Sequence, residues 1–306
     1  MTYEKIVVTG GAGLLGRHVV KEMATHAQIT TLDIKEPEVV SQGCQNHLNV
    51  SITNYEEMKK AFTGHDAVIH LAAIPNPREA DAKTTFDNNV QGAWTVLQAA
   101  EDAGIKRVIV ASSDSVFGLS YNPPDWPPQF LPVDETHPTR PTEVYSLSKK
   151  ITETISGSFA ARGNMEVLAI RPCHIIFPRG YSELEARGQD LENYHFWAWV
   201  DPQDVARAFR LAVHTSDYNG FDIYTVAAAK GLNSKPTLEL AAERWKKMPV
   251  IRRPEIYSSC ATASILDTSK IRERLGFIPE VSLEELLLKA KIQKYFFMIV
   301  MYCNIS

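Results

Sequence analysis

Apolar residues fall into short uninterrupted runs, separated by longer stretches in which they recur every three or four positions. Residues 6–9, 29–32, 67–69, 108–110 and 167–170 are runs of β-branched and aliphatic side chains. Their lack of alternation predicts strands covered on both faces. Between them the spacing predicts helices over residues 14–24, where Leu15, Val19 and Met23 share a face, and over 55–62, 83–103 and 144–162. Gly104 and Gly163 stand where the last two should stop. Strands alternating with helices predict a parallel sheet with helices on both sides. Residues 119–140 carry six prolines and read as a long ordered loop. Beyond Pro172 the pattern predicts helices over 204–213, 237–245 and 283–291 and a strand over 221–226. Residues 295–303 form a short apolar tail, too short to cross a bilayer and expected to be docked or poorly ordered.

The first strand runs into Thr9-Gly10-Gly11-Ala12-Gly13-Leu14-Leu15-Gly16, which opens the first helix. A glycine-rich turn alone says little, but here it has a strand before it, a helix after it and an acid at the next strand end. Gly10 permits the tight turn, Gly13 lets a pyrophosphate approach the backbone at the helix start, and Gly16 lets helix and strand pack closely. Asp33, 17 residues past Gly16, would accept both ribose hydroxyls and repel a 2′-phosphate. This predicts NAD rather than NADP, although Lys35 and Arg17 leave room for NADP.

Tyr145 and Lys149 stand at i and i+4 on one predicted helix, so their side chains share a face. An ammonium beside a phenol favours the phenolate, the positive nicotinamide ring would add to this, and Tyr145 would then be a usable base near neutrality. Ser112-Ser113-Asp114 follows the strand over 108–110, where ligands bind in such sheets, and a hydroxyl there can hold a substrate oxygen.

Composition changes this picture little. Of 306 residues, 44% are hydrophobic and 22% charged, which excludes a disordered or fibrous chain. Lys plus Arg number 32 against 36 Asp plus Glu, a net charge of −4, so neither a nucleic acid nor an anionic membrane surface is an expected partner. The four cysteines are far apart, with no C-x-x-C pair. No metal site or disulfide framework is expected, and a reducing, cytoplasmic setting is the simpler reading.

Together these motifs resemble the extended short-chain dehydrogenase/reductases of the NAD-dependent epimerase/dehydratase kind. Further landmarks are His70-Leu71-Ala72-Ala73, Asn89-Val90-Gln91-Gly92, Val116-Phe117-Gly118, Arg171-Pro172, Trp199-Val200-Asp201 and Leu275-Gly276-Phe277. The resemblance implies an α/β, Rossmann-type doubly wound parallel sheet with a smaller C-terminal substrate-binding subdomain. Residues 1–172, with return segments near 199–226, would be the NAD-binding domain. Residues 173–306 would be mostly the substrate-binding subdomain and the tail. It further implies that Gly10, Gly13, Leu14, Leu15, Gly16 and Asp33 hold the cofactor. Asn49 and Val50 would meet adenine, although the family usually has Asp at the first of these. Leu71, Ala72, Ala73, Asn89, Ser112, Pro172 and Cys173 would also lie along NAD. Ser113 and Tyr145 would handle the substrate hydroxyl, and Lys149 the nicotinamide ribose. Pro75, Asp114, His174 and His195 would face the substrate, and the family often forms homodimers through two long helices.

Three departures narrow the reaction. Dehydratases of this kind carry Thr-Asp-Glu where Ser113-Asp114-Ser115 stands, so their proton-abstracting Glu is missing. Nucleotide-sugar epimerases usually have Asn in place of His174. The 20 residues from 179 to 198 are few for a nucleotide pocket. The compressed segment is similar to that of uronate dehydrogenases, but His195 replaces their carboxylate-gripping Arg; Arg179 and Arg187 are expected to be solvated. The expected function is NAD-dependent hydride transfer at a secondary alcohol or hemiacetal of a sugar-like small molecule. The alternatives are a nucleotide-sugar epimerase and a non-catalytic NAD(H)-binding sensor or scaffold.

Overall fold

The structure is a computed structural model that describes residues 3–36, 43–121, 126–216 and 220–303, with side chains through residue 295. The chain begins β1 (Lys5–Thr9), α1 (Leu14–Met23), β2 (Gln28–Asp33), β3 (Cys44–Asn49), α2 (Tyr55–Phe62) and β4 (Ala67–His70). It continues α3 (Ala82–Phe86), α4 (Gly92–Asp102), β5 (Arg107–Ala111), β6 (Phe130–Leu131), α5 (Val144–Ala161) and β7 (Glu166–Pro172). Next come β8 (His174–Ile175), α6 (Leu184–Arg187), β9 (Trp199–Val200), α7 (Pro202–His214) and β10 (Phe221–Val226). It ends α8 (Thr237–Arg244), β11 (Val250–Ile251), α9 (Pro254–Ser259), α10 (Ser269–Leu275) and α11 (Leu283–Cys303).

Seven strands form one sheet in the order β10-β7-β5-β4-β1-β2-β3, every pairing parallel. Successive residues of a strand point to opposite faces, and the core divides accordingly. Ile6, Val8, Ile69, Ile109 and Ile170 pack with Val19 and Met23 of α1 and Val205 and Phe209 of α7. Val7, Val68, Val108, Val110 and Val167 pack with Met58 and Phe62 of α2, Val96 and Leu97 of α4 and Phe159 of α5. Both faces are thus covered, as the continuous apolar runs require. The C-terminal elements share the first of these cores through Ile265, Ile271 and Phe277, and a smaller cluster joins Ile176, Leu184, Trp199, Leu232 and Leu286.

Four elements differ from expectation. β3 was not expected because Cys44–Asn49 has no apolar pattern; it is an edge strand held by backbone pairing to β2. The helix expected over 83–103 is α3, a π-helical turn Asp87–Gln91, and α4. The turn swings Asn89 inward, where it is 3% exposed and its amide is fully used. The proline-rich loop contributes β6, which pairs with β11, while residues 122–125 lie outside the described residues. α11 runs on through the apolar tail to Cys303, whose side chains from residue 296 lie outside the described ones.

Candidate active site

All seven strands are parallel, so their carboxyl ends lie along one edge. The order in which strands are added reverses between β1 and β4, the crevice where ligands of such sheets bind. Gly10 sits here with φ +73°, and a Cβ on it would lie 2.7 Å from the Ala72 backbone nitrogen. A Cβ on Gly16 would fall 2.1 Å from the Gly10 carbonyl oxygen. Glycine is therefore required for turn, helix and the β4 loop to meet. Gly13 is exposed and begins α1 without a side-chain cap, so the first amides at Leu14 and Leu15 open toward the crevice. Asp33 ends β2, its carboxylate fixed by the Ala12 and Lys35 N–H groups at 3.1 Å each. Asn49 is its register partner on β3, and the Val50 N–H donates to the Asp33 carbonyl at 3.1 Å. Across the crevice Leu71 and Ala72 donate to the Thr9 carbonyl and hydroxyl. The uncapped helix start, the glycine cradle and the anchored carboxylate fit a dinucleotide with free ribose hydroxyls.

Tyr145 and Lys149 lie in the first turns of α5. Glu143 caps that helix, accepting from the Tyr145 and Ser146 N–H groups at 2.6 and 2.7 Å. Lys149 Nζ donates to the Ala111 carbonyl at 2.7 Å and stands 5.9 Å from the Tyr145 ring centre. Burial lowers Lys149 to about 8, against a smaller raising effect of Glu153. Burial raises the Tyr145 phenol, against a lowering effect of the neighbouring Ser113 hydroxyl, and Tyr121, Asp114 and Glu143 raise it further. The protein alone therefore holds Tyr145 in its acid form, and Lys149 without the nicotinamide charge does not bring this phenol near neutrality. The nearby His70 donates to or accepts from Thr9 Oγ1 at 2.8 Å and is lowered to about 3 by burial and by Lys149, so it stays neutral.

A polar layer lies behind these groups. Ser112 Oγ donates to Glu153 at 2.7 Å, and Arg171 grips the same carboxylate through Nε and Nη2 at 2.6 and 2.8 Å. All three residues are nearly fully buried. The Asn89 amide accepts from the Ile74 N–H at 2.8 Å and donates to the Ile74 carbonyl and Ser148 Oγ, each at 3.1 Å. Ser112 and Asn89, both expected along the cofactor, thus direct their side chains into the protein: one braces α5, the other ties the β4 loop to it.

Pro172 closes β7 and Cys173 follows it, both buried, with the Cys173 N–H on the Val226 carbonyl at 3.0 Å. His174 and His195 stack with ring centres 3.5 Å apart and planes 8° apart. Arg187 donates from Nη1 to His174 Nε2 and to His195 Nδ1, the latter at 3.1 Å, and from Nε to Glu183 at 3.0 Å. Burial lowers His174 to about 2 and His195 to about 4, with Arg187 adding to both. Two neutral rings thus accept from one cation, and Arg187 is not the solvated side chain expected. Asp114 is buried beside Ser113, while Pro75 is exposed on the β4 loop. The sequence reading missed Glu143, Glu153 and Tyr194. Glu153 stands four residues after Lys149 on the same helical face, a spacing that could have revealed it; Tyr194 had no signal beyond an aromatic-rich loop.

Residues 6–227 match the NAD dependent epimerase/dehydratase family. The chain is 30% identical over 218 residues to an L-arabinose 1-dehydrogenase (NAD(P)(+)) of Haloferax volcanii, covering 69% of this chain and 83% of that protein. It is 31% identical over 169 residues to a UDP-glucose 4-epimerase of Streptomyces lividans, covering 52% and 49%. A short-chain dehydrogenase/reductase superfamily protein of Agrobacterium tumefaciens, solved with bound NAD, superposes with a TM-score of 0.74 at 21% identity, covering 98% and 99%. That last likeness concerns the fold.

Proposed function

Because the chain belongs to the NAD dependent epimerase/dehydratase family, we propose that it is an NAD-dependent oxidoreductase acting on a secondary alcohol or hemiacetal of a sugar-like small molecule. The observation that carries this reading is the convergence of Ser113, Tyr145 and Lys149 beside the glycine turn. Gly10, Gly13, Leu14, Leu15 and Gly16 would hold the pyrophosphate and Asp33 the adenosine ribose. Asn49 and Val50 would border adenine, and Leu71, Ala72, Ala73, Pro172 and Cys173 the remaining walls. When bound, NAD supplies the hydride acceptor and a positively charged ring. Ser113 holds the substrate oxygen, and Tyr145 Oη exchanges the hydroxyl proton with it. Lys149, anchored on Ala111, sets the charge beneath that oxygen, and burial excludes water from the exchange. Residues 1–172 would carry this cofactor machinery and residues 173–306 most of the substrate wall, including His174 and His195.

Nucleotide-sugar epimerisation is the second reading, favoured by the Streptomyces relative and served by the same three side chains. A sensor without chemistry has no need of them. Phe86, Trp94 and Leu147 are 39%, 47% and 41% exposed on α3, α4 and α5, which supports a homodimer packed through these helices. Cys44, Cys173 and Cys260 are free thiols, which supports a reducing cytoplasmic setting. No helix among the described residues is long and apolar enough to cross a membrane.

The test is NADH formation at 340 nm from free aldoses, hexuronates and polyols, with NAD and with NADP. Growth of signal with NAD and a free sugar, lost in Tyr145→Phe, is expected. Interconversion of UDP-sugars by enzyme that retains NAD, without net NADH, would instead establish the epimerase.

A further inference from the structure

The turn after β5 holds a carboxyl group for which the proton exchange above has no use. Asp114 opens the 3-10 turn Asp114–Phe117 and is only 4% exposed. Its Oδ1 accepts from the Ser113 hydroxyl at 3.4 Å, while Oδ2 is buried without a hydrogen-bond partner. Facing it, on the short turn Tyr194–Phe196, is Tyr194, 9% exposed; its buried hydroxyl is directed at Asp114 but meets no group at hydrogen-bond distance. Tyr145, Tyr121 and Cys173 lie within the influence of the same carboxyl group, so it borders the reacting centre. Arg171 also acts on Asp114, but its guanidinium is bound to Glu153. Burial pushes Asp114 up to about 7, and the Tyr194 hydroxyl opposes that rise.

A buried acceptor and a buried hydroxyl directed at each other but not closed to hydrogen-bond distance cost free energy, and a native fold keeps such a pair apart where something between them completes both. An alcohol group is suited to do so, since it can donate to a carboxylate oxygen and accept from a phenol at once. We propose that Asp114 and Tyr194 clamp the hydroxyl adjacent to the reacting carbon, so that this site takes a vicinal diol, or a hemiacetal with its neighbouring hydroxyl, and reads the presence and configuration of that second group. Ser113 and Tyr145 hold the reacting oxygen; Asp114 and Tyr194 hold its neighbour. They are specificity-determining residues, and the inference rests on the oxidoreductase reading.

The experiment compares D-glucose with 2-deoxy-D-glucose, and D-galactose with 2-deoxy-D-galactose, on wild type, Asp114→Asn and Tyr194→Phe. It reads NADH formation and, separately, sugar binding to the NADH-loaded protein by calorimetry. NADH fluorescence verifies that each variant folds; should Asp114→Asn fail, Tyr194→Phe carries the comparison. The wild type is expected to favour each parent sugar at least tenfold in kcat/KM, because a site built around a hydroxyl rejects the analogue that lacks it. In both variants that ratio is expected to fall below threefold, mainly by a higher KM for the parent. Damage that is merely structural would lower turnover of parent and deoxy sugar alike. Equal use of parent and deoxy sugar by wild type, or an undiminished ratio in the variants, overturns the clamp and leaves the oxidoreductase standing. A failure to oxidise or bind any of these aldoses overturns the clamp as a reader of aldose hydroxyls, while the oxidoreductase reading stands or falls on the wider panel of hexuronates and polyols.

Discussion

Lys149 is the place where function and stability pull in opposite directions, and Lys149→Met measures the conflict. The ammonium is 6% exposed, and burial brings it from the ordinary 10.5 to about 8. A tenfold change in proton affinity is worth about 1.4 kcal/mol, so holding the charged form at pH 7 costs the fold about 3 kcal/mol. Met fills much the same space without the charge. It leaves the Ala111 carbonyl without its 2.7 Å donor, a loss of about 1–2 kcal/mol. The net expectation is a variant about 1–2 kcal/mol more stable at pH 7, yet reduced at least about 100-fold in turnover. The pH dependence is equally definite. Below pH 8 both folded and unfolded chains hold the proton, and the wild type bears the whole cost. Between pH 8 and 10.5 the unfolded chain binds more protons, so wild-type stability gains relative to the variant as pH rises. By pH 9.5 the gap between the two proteins should shrink by about 2 kcal/mol. Urea denaturation of both proteins at pH 7 and 9.5 measures it. A variant less stable at pH 7, or a gap that ignores pH, refutes the reasoning.

Two further outcomes follow from packing. Gly16→Ala places a Cβ 2.1 Å from the Gly10 oxygen and 2.8 Å from Gly11 Cα, both backbone atoms that cannot rotate away. About 1–3 kcal/mol of overpacking and at least a tenfold loss of NADH affinity are expected; an unchanged fluorescence titration would contradict the glycine cradle. Trp94→Glu should convert a dimer to a monomer at micromolar concentration in light scattering, with NADH binding retained, whereas a monomeric wild type would dispose of the proposed interface.

Strands β1, β4, β5 and β7 were legible because burial on both faces forces continuous apolar sequence, as in Val108-Ile109-Val110. β3 was not, because an edge strand such as Cys44–Asn49 needs backbone partners more than apolar side chains. The π turn at Asp87–Gln91 was hidden for a related reason. It alters the register over only five residues, too few to disturb a periodicity set by Val96, Leu97 and Ala100 further on. The glycine turn with Asp33, and Tyr145 with Lys149, were legible as local spacings. What spacing cannot show is which side chains meet from distant segments, as His174, Arg187 and His195 do, or Asp114 and Tyr194.

The same distinction explains why Lys149 alone does not make Tyr145 a base in the protein without cofactor. A spacing of four on a helix puts Lys149 beside Tyr145, and from that alone the phenol should titrate low. The spacing is silent on the depth of the pair and on what else surrounds it. Lys149 is buried and Tyr145 half-buried, Asp114, Glu143 and Tyr121 all oppose a phenolate, and Lys149 gives its hydrogen bond to Ala111. Burial therefore acts on the two partners in opposite directions, raising the acid and lowering the base, so the neutral phenol prevails in the protein alone. The rigid parts of the arrangement serve to hold this imbalance. Glu143 caps α5 beneath Tyr145, Glu153 ties the same helix to β7 through Arg171, and Asn89 fixes the β4 loop against Ser148. With position fixed in this way, the positive ring that NAD would bring in the proposed reading would favour the phenolate, supplying what Lys149 alone does not.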